Sequence, residues 1–597
     1  MAGTRLSVEN GTTRCARLID VYQPENTTDR PHALVDIHPT RMKTPARPTH
    51  GPDPAGALRR RPGPAAIGAV ALALAVAALL LIDTQDRDLR ERTLIVALTG
   101  EPRSLDPHTT TSSNDFRICT NLYEGLVRFA PGSLEIEPAL ATSWEVDNDG
   151  RRYTFELRRG VRFHDGSAFD ADAVMFNFNR MLDPEHPEHD TGPFPFSFFF
   201  DSVESVEAHD RHTVVFHLSE PFAPFLANLA YPTGLIVSPA AVREHRSDFG
   251  RHPSGTGPFR FVEWQSRRSI VLERHHAADP DPSSADADRD SALAERLLFR
   301  PVTDPAARTA ELLAGSVDVI LEAPPDVLAR LRRDPDLQVD EVDGTHLWFL
   351  ILNCRHGPFA SRDMREAVNL AVDKQAITDL LLQGTASVAD SAFPDAFDWI
   401  PRPPDAGARH DPERARELIR AAGHEGTSLR LWVPEGGSGM LQARAMAEAI
   451  QADLAGVGLS VRIEVFEWNS FLERVNAGLD DGVDMAAMAW MVNDPDTLPY
   501  LTLRSGALPE HGGFNSGYFE HPALDDLLER ARRAADPARR AALYQQADAL
   551  IREQHPWLIV ASERQHVIHR RHIQGIELHP AYLLRLGQVQ LTPTAHP

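Results

Sequence analysis

Gly436-Gly-Ser438-Gly-Met440 sets a serine among glycines, the local arrangement that can expose a nucleophile. A nucleophile elbow needs G-x-S-x-G, and Met440 fills the last position. A turn that opens a helix accounts for these glycines without catalysis. His186-Pro-Glu-His189 and His275-His276 have ligand-like spacing, but the chain holds 26 histidines, so close pairs arise by chance. Metal sites need three or four convergent ligands with a supporting shell behind them. The acidic run AADPDPSSADADRD, residues 277–290, lacks the glycine and terminal glutamate of a calcium loop and reads as solvated loop. The expectation is therefore no catalytic residue, no metal site and no cofactor.

Composition narrows the classes further. Lysine occurs only at Lys43 and Lys374, and neither follows a glycine, which excludes a phosphate-binding loop and hence a transporter ATPase. Cys15, Cys119 and Cys354 contain no C-x-x-C, so a zinc ribbon or redox pair is out; Cys119 and Cys354 could pair in an oxidising compartment or remain separate buried thiols. Net charge is −24, with residues 1–64 at +4 and the remainder at −28. An acidic body argues against nucleic acid, which needs clustered cations. It suits cationic or zwitterionic ligands and also serves solubility.

The elements that would position a site begin after an apolar run. AAIGAVALALAVAALLLI, residues 65–82, is 18 residues without a charge, long enough to span a bilayer. Arg59, Arg60 and Arg61 precede it, which places the N-terminus in the cytoplasm and the body outside. A cleaved signal peptide is the rival reading, but no A-x-A follows the run, and an uncleaved anchor is favoured. Residues 1–64, rich in Pro, Thr, Arg and His, read as a disordered cytoplasmic arm.

From Thr93 the pattern is that of a folded α/β body. Thr93–Leu98 reads as a strand ended by Gly-Glu-Pro, and Asp170 caps a helix with Val174, Phe178 and Met181 on one face. Residues 201–218 read as two strands. Ser361 is expected to cap a helix carrying Met364, Val368, Ala371, Val372 and Leu380 and ending near Gly384. Strands at 429–433, 459–466 and 483–490 alternate with helices at 440–457 and 469–477, which implies parallel strands in an α/β layer.

One block is more specific than any of these motifs. ALATSWEVDNDGRRYTFELRRGVRFHDGSAFDADAVMFNFNRML, Ala139 to Leu182, resembles the opening of the family 5 extracytoplasmic solute-binding proteins of dipeptide, oligopeptide and nickel ABC importers. Further matches are Ser254-Gly-Thr-Gly-Pro-Phe259, AELLAGSVDVI ending at Ile320, Leu352-Asn353, Ala371-Val-Asp-Lys374 and His555-Pro-Trp-Leu-Ile559, so the resemblance spans Thr93 to about Gln590. It implies a two-lobed periplasmic binding protein fold (type II, cluster C) with an extra subdomain, about 138–252, inserted in lobe I. Lobe I would cover 93–345, lobe II 346–564, and a return to lobe I 565–597.

The resemblance also implies a ligand enclosed between the lobes by hinge closure, a permease of an ABC transporter in the inner membrane as partner, and a working monomer. In peptide-binding members Trp-x-x-Asp sets an aspartate on the ligand's α-ammonium. Here the match is Trp490-Met-Val-Asn493, followed by Asp494-Pro-Asp496. An amide cannot supply the charge-assisted bond of a carboxylate. Either Asp494 takes that role, or the ligand offers no free amino terminus there, so the expected ligand is a peptide or peptide-like small molecule. Thr111, Ser112 and Ser113, in the loop after Leu105-Asp106-Pro107, would face the cleft, and Trp490 would pack on the ligand. Arg365 is expected to make a structural ion pair rather than hold a ligand carboxylate. The alternatives are a membrane-tethered sensor of the same fold, or a binder of a metal chelate or other non-peptide molecule.

The apolar run makes one prediction directly. Fractionation should leave the protein in the inner membrane with its arm intact; a soluble periplasmic body with a new N-terminus after Ile82 would establish cleavage instead.

Overall fold

The computed structural model describes residues 89–592 apart from 148, 277–292, 403–408, 438, 441 and 480–481. The expected arm, anchor and acidic loop, together with Ser438 and Cys15, lie outside the described residues. Among the described residues no helix is long and apolar enough to cross a membrane.

Two long antiparallel strands, Leu337–Leu352 and Trp557–Arg570, form the spine. On one side Trp557–Arg570 pairs with Val319–Leu321, followed by Thr93–Leu98, Arg296–Pro301, Ser269–Arg274 and Phe259–Gln265. On the other side Leu337–Leu352 pairs with Met485–Met491, followed by Ser428–Pro434 and Ser460–Phe466. These last three strands run parallel, as their alternation with helices implies. The spine thus serves two lobes. Residues 337–343 pair with 564–570 in the first, and 347–351 pair with 557–562 in the second. Between Asp343 and Leu347 the register shifts. Such a bulge bends the strand and increases its twist.

The second lobe buries both faces of its sheet. Leu350, Leu429, Leu431, Ile450 and Val560 lie on one side, and Phe349, Met488, Leu528 and Trp557 on the other. Strands covered on both faces are continuously apolar, as in Met485–Met491. A separate sheet of Ala141–Val146, Arg152–Leu157, Thr213–Leu218 and Val203–Asp210 packs with helix Ala171–Leu182 around Phe155, Phe178 and Phe216. Asp170 caps that helix through the Ala173 amide.

Two local expectations are corrected. The helix after Ser361 covers only Arg362–Ala371, and Ser361 makes no side-chain cap bond. Asp373 caps a fresh start, and the chain continues through a π-turn at Ile377–Leu382. That change of phase leaves Leu380 70 % exposed while Met364, Val368, Ala371 and Val372 stay buried. The later helix begins at Ala443, not Met440. Cys119 and Cys354 are both free thiols, one in each lobe.

The segment after Arg570 returns to the first lobe and is held there by His579. Its Nε2 lies 2.6 Å from the Ser133 carbonyl while its Nδ1 accepts from the Ala581 amide at 3.1 Å. Protonation would turn that acceptor into a donor facing an N–H. Burial, with Arg585 adding to it, pushes the imidazole down to about 3. Buried His108, bonded to the Leu235 carbonyl, is pushed down to about 4 by burial, against the pull of Asp106. Both bases stay neutral in the fold while the unfolded chain takes up protons near pH 6.5. Stability present above that pH is therefore lost as pH falls from about 6.5 towards 4, at about 1.4 kcal/mol per pH unit for each histidine. Urea unfolding at pH 7 and pH 5 should show this loss, with a shallower slope for His579→Gln; a flat profile would contradict it.

Candidate functional site

The lobes meet along a seam whose first-lobe wall is aromatic. Ser112 is the N-cap of helix Ser113–Leu122, accepting from the Asp115 amide, so its hydroxyl has a structural task. Thr111 is exposed, and the buried hydroxyl beside it, Thr110, donates to Asp115 at 2.6 Å. One turn below Ser113, on the same helix face, stands Arg117. Its guanidinium pairs with Glu322 at 2.6 Å and lies 5.4 Å from the centroid of the Tyr582 ring. Its Nη1 is buried with no hydrogen-bond partner among the described residues.

Phe116 on that helix packs edge-on against Tyr231, ring centroids 5.5 Å apart. Phe196 and Phe199 meet the same tyrosine at 6.2 and 5.9 Å and are themselves half-buried. Tyr231 then reaches the opposite lobe, its hydroxyl 3.8 Å from Met491 Sδ. The helix after Thr111–Ser113 and the strand end at Trp490–Asn493 therefore border one seam, linked through two rings.

On the second lobe, Asn493 is buried and both ends of its amide are used. Nδ2 donates to Asn228 Oδ1 across the seam at 2.8 Å, and Oδ1 accepts from Thr497 at 3.1 Å. Asp494 turns away, into an ion pair with Arg540 at 2.5 Å. Asp496 pairs with Arg532 at 3.2 Å, and burial pushes its carboxyl up to about 6 against the pull of that arginine. Arg532 also lies over the Phe222 and Tyr500 rings, and its carbonyl accepts from the Ala223 amide at 2.8 Å. Trp490 packs edge-on against Phe514 and lines a small crevice with Phe349 and Trp557.

The glycine loop has a packing explanation. A Cβ on Gly437 would lie 2.3 Å from the Trp468 ring, and one on Gly439, at φ +70°, 2.3 Å from His346. His346 in turn sits 3.3 Å from Glu563, whose other contact is the Tyr582 hydroxyl. Among the described residues no group of three or more His, Cys, Asp or Glu side chains converges as a metal site. His189 bonds the Arg180 carbonyl and His275 packs on His164. Arg365 donates to the carbonyls of Gln554 and Phe359 instead of entering the expected ion pair.

Sequence reasoning missed Arg117, Asn228, Tyr231 and His346. Arg117 had a usable signal, a charge flanked by Phe116, Ile118 and Cys119. So did the aromatic wall, since five of the seven residues from Phe194 to Phe200 are phenylalanine. Asn228 and His346 become special only through partners distant in sequence.

Removing Arg540 would leave Asp494 buried and unpaired, which typically costs about 3–5 kcal/mol. Arg540→Ala should lower unfolding stability by that order in denaturant titration; a change below about 1 kcal/mol would mean that the pair is solvated.

Comparison with known proteins identifies the family. Residues 135–508 match the bacterial extracellular solute-binding proteins, family 5 Middle. The chain is 33% identical over 547 residues to di/tripeptide-binding protein 2 of Pseudomonas aeruginosa (strain UCBPP-PA14), covering 87% of this chain and 98% of that one. The structure of HbpA2 from Haemophilus parasuis superposes with a TM-score of 0.74 at 30% identity, over 84% of this chain and 100% of that one. The periplasmic binding protein DppA from Helicobacter pylori, in complex with peptide STSA, gives a TM-score of 0.70 at 28% identity, over 84% and 99%. The two lobes, the spine between them and these matches together make the chain a member of the family 5 bacterial extracellular solute-binding proteins, a family of binding proteins rather than enzymes.

Proposed function

We propose that this protein captures a peptide or peptide-like solute outside the cytoplasm and delivers it to the permease of an ABC importer. The observation that carries the ligand class is the seam: an aromatic wall of Phe116, Phe196, Phe199 and Tyr231 opposite an amide, Asn493, with both neighbouring carboxylates engaged by arginines. Such a wall suits apolar side chains, and an amide released from Asn228 as the lobes part suits a peptide group or a blocked amino terminus. The naming of the Pseudomonas relative as a di/tripeptide-binding protein and the peptide held by the Helicobacter neighbour support the same class.

In this reading Thr111 and Ser113 offer hydroxyls to the ligand's polar ends, Ser112 fixes their helix, and Trp490 and Asn493 form the facing wall. Asp494, through Arg540, holds the turn that presents Asn493. The seam is bridged by Asn228–Asn493 and Tyr231–Met491, so ligand entry requires the lobes to part, with lobe I taken as 93–345 and lobe II as 346–564. Ligand then shifts the open–closed balance by its preference for the closed state. The run at 65–82 tethers this body to the membrane.

A charge-assisted bond to an α-ammonium is worth about 1.5–3 kcal/mol, or roughly 10- to 150-fold in affinity. With Asn493 in place, calorimetry should find apolar tripeptides and their N-acetylated forms binding within about threefold of each other. A loss beyond about 30-fold on acetylation would mean that a carboxylate does hold the amino terminus.

A further inference from the structure

The second lobe holds a cavity that the seam does not use. About 360 Å³ of water-accessible space lies between helix Arg362–Ala371, the end of helix Pro537–Gln554 and the start of strand Trp557–Arg570. Small-ligand sites begin at roughly that size, about 300 Å³. In a chain of net charge −24, four cations line this space: Arg362, Lys374, Arg409 and Arg552.

The acids on the same wall do not balance them. Glu366 is taken by Arg362 at 2.8 Å, Asp390 pairs with Arg552 at 3.0 Å, and Glu553 is exposed. Arg362 also donates to the Glu553 carbonyl at 2.9 Å, which explains it as a cation at a helix C-terminus. Arg552 stands in the last turn of helix Pro537–Gln554 and pairs with Asp390, the carboxylate that also acts on Lys374, yet this leaves donors on both cations unused. Lys374 is only 5 % exposed, and its three ammonium donors make one hydrogen bond among the described residues, to Asn369 Oδ1 at 3.3 Å. The Nη1 of Arg552 is buried with no hydrogen-bond partner among the described residues. Burying donors without acceptors is costly, and more so for charged ones.

Two groups here lose affinity for their proton, Lys374 chiefly by burial and His555 by burial among cations. Burial, with Arg552 adding to it against Asp390, pushes the Lys374 ammonium down to about 8. His555 is pushed down to about 4 by burial and then by Arg362, Lys374, Arg365 and Arg552. Unused donors on Lys374 and Arg552 in one concave space, with an exposed arginine at its mouth, suit one compact anion.

We infer that this cavity is a second ligand site, taking a small oxyanion, a phosphate or carboxylate group, between Lys374 and Arg552 with Arg409 at its mouth. It is independent of the peptide reading, and either can fail alone. Trp557 lines both this cavity and the crevice beside Trp490, so occupancy has a fluorescent reporter within reach of the seam.

The test is isothermal titration of the full chain with sodium phosphate and, separately, sodium malonate, in chloride buffer at fixed ionic strength. One of the two should give saturable one-to-one binding, phosphate or malonate naming the source of the oxyanion. Lys374→Met should weaken it at least about tenfold, and Arg409→Gln, at the surface where folding is not at stake, about threefold, with peptide affinity unchanged in both. No saturable heat with either anion would overturn the site, as would unchanged binding in Arg409→Gln together with unchanged binding or failure to fold in Lys374→Met.

Discussion

The structure depends on two strands that cannot be bent independently. Leu337–Leu352 and Trp557–Arg570 hydrogen-bond to each other through both lobes, so any rotation of one lobe against the other must pass through their shared ladder. The ladder yields at two register shifts, between Asp343 and Leu347 and between Trp348 and Phe349, and the first marks the passage from one lobe to the other. Gly344 lies there because a Cβ would come 3.0 Å from the Glu563 carbonyl. Beside it, the Thr345 amide bonds the Pro580 carbonyl, and the Thr345 carbonyl accepts from the Val492 amide, one residue before Asn493. The bulge, the returning segment and the strand end at the seam are therefore tied by main-chain bonds. A change at the seam reaches the bend through the Thr345 backbone and the adjoining ladder.

Arginine carries most of the internal electrostatics. Asp106 with Arg180, Asp494 with Arg540 and Asp496 with Arg532 are buried or nearly buried pairs. A guanidinium suits these positions because its rigid fork pairs with a carboxylate while its flat face covers aromatic rings. Arg532 does both, lying over the Phe222 and Tyr500 rings. The pairs also explain why acidic motifs near the seam are poor guides to ligand charge, since the aspartates that stand out in the sequence already have cationic partners.

The parallel strands at 428–434, 460–466 and 485–491 were legible because each is a local apolar run set off by helical periodicity. The helix after Ser361 was legible only as far as Ala371. Asp373 can cap as well as continue, and a π-turn shifts the phase that a 3.6-residue reading extrapolates. Of the candidate site, the family resemblance pointed to Trp490, Asn493 and the loop at Thr111–Ser113. What Asn493 touches was not visible, because Asn228 is 265 residues away and no local pattern marks it. Asp494 looked available in sequence because nothing near it announces Arg540.

The returning segment has a consequence for the order of assembly. The second lobe takes nearly all its strands from one uninterrupted stretch, whereas the first lobe needs residues 579–586, which follow that stretch. Asn121 bonds the Leu584 carbonyl and the Leu586 amide, Arg585 bonds the Phe129 carbonyl, and His579 closes on Ser133. Contacts spanning more than 440 residues are slow to find. A chain emerging from the ribosome, or threaded through a membrane, can therefore complete its later lobe before its earlier one. The lobe synthesised first stays unfinished, and open to chaperones, until residues 579–586 arrive.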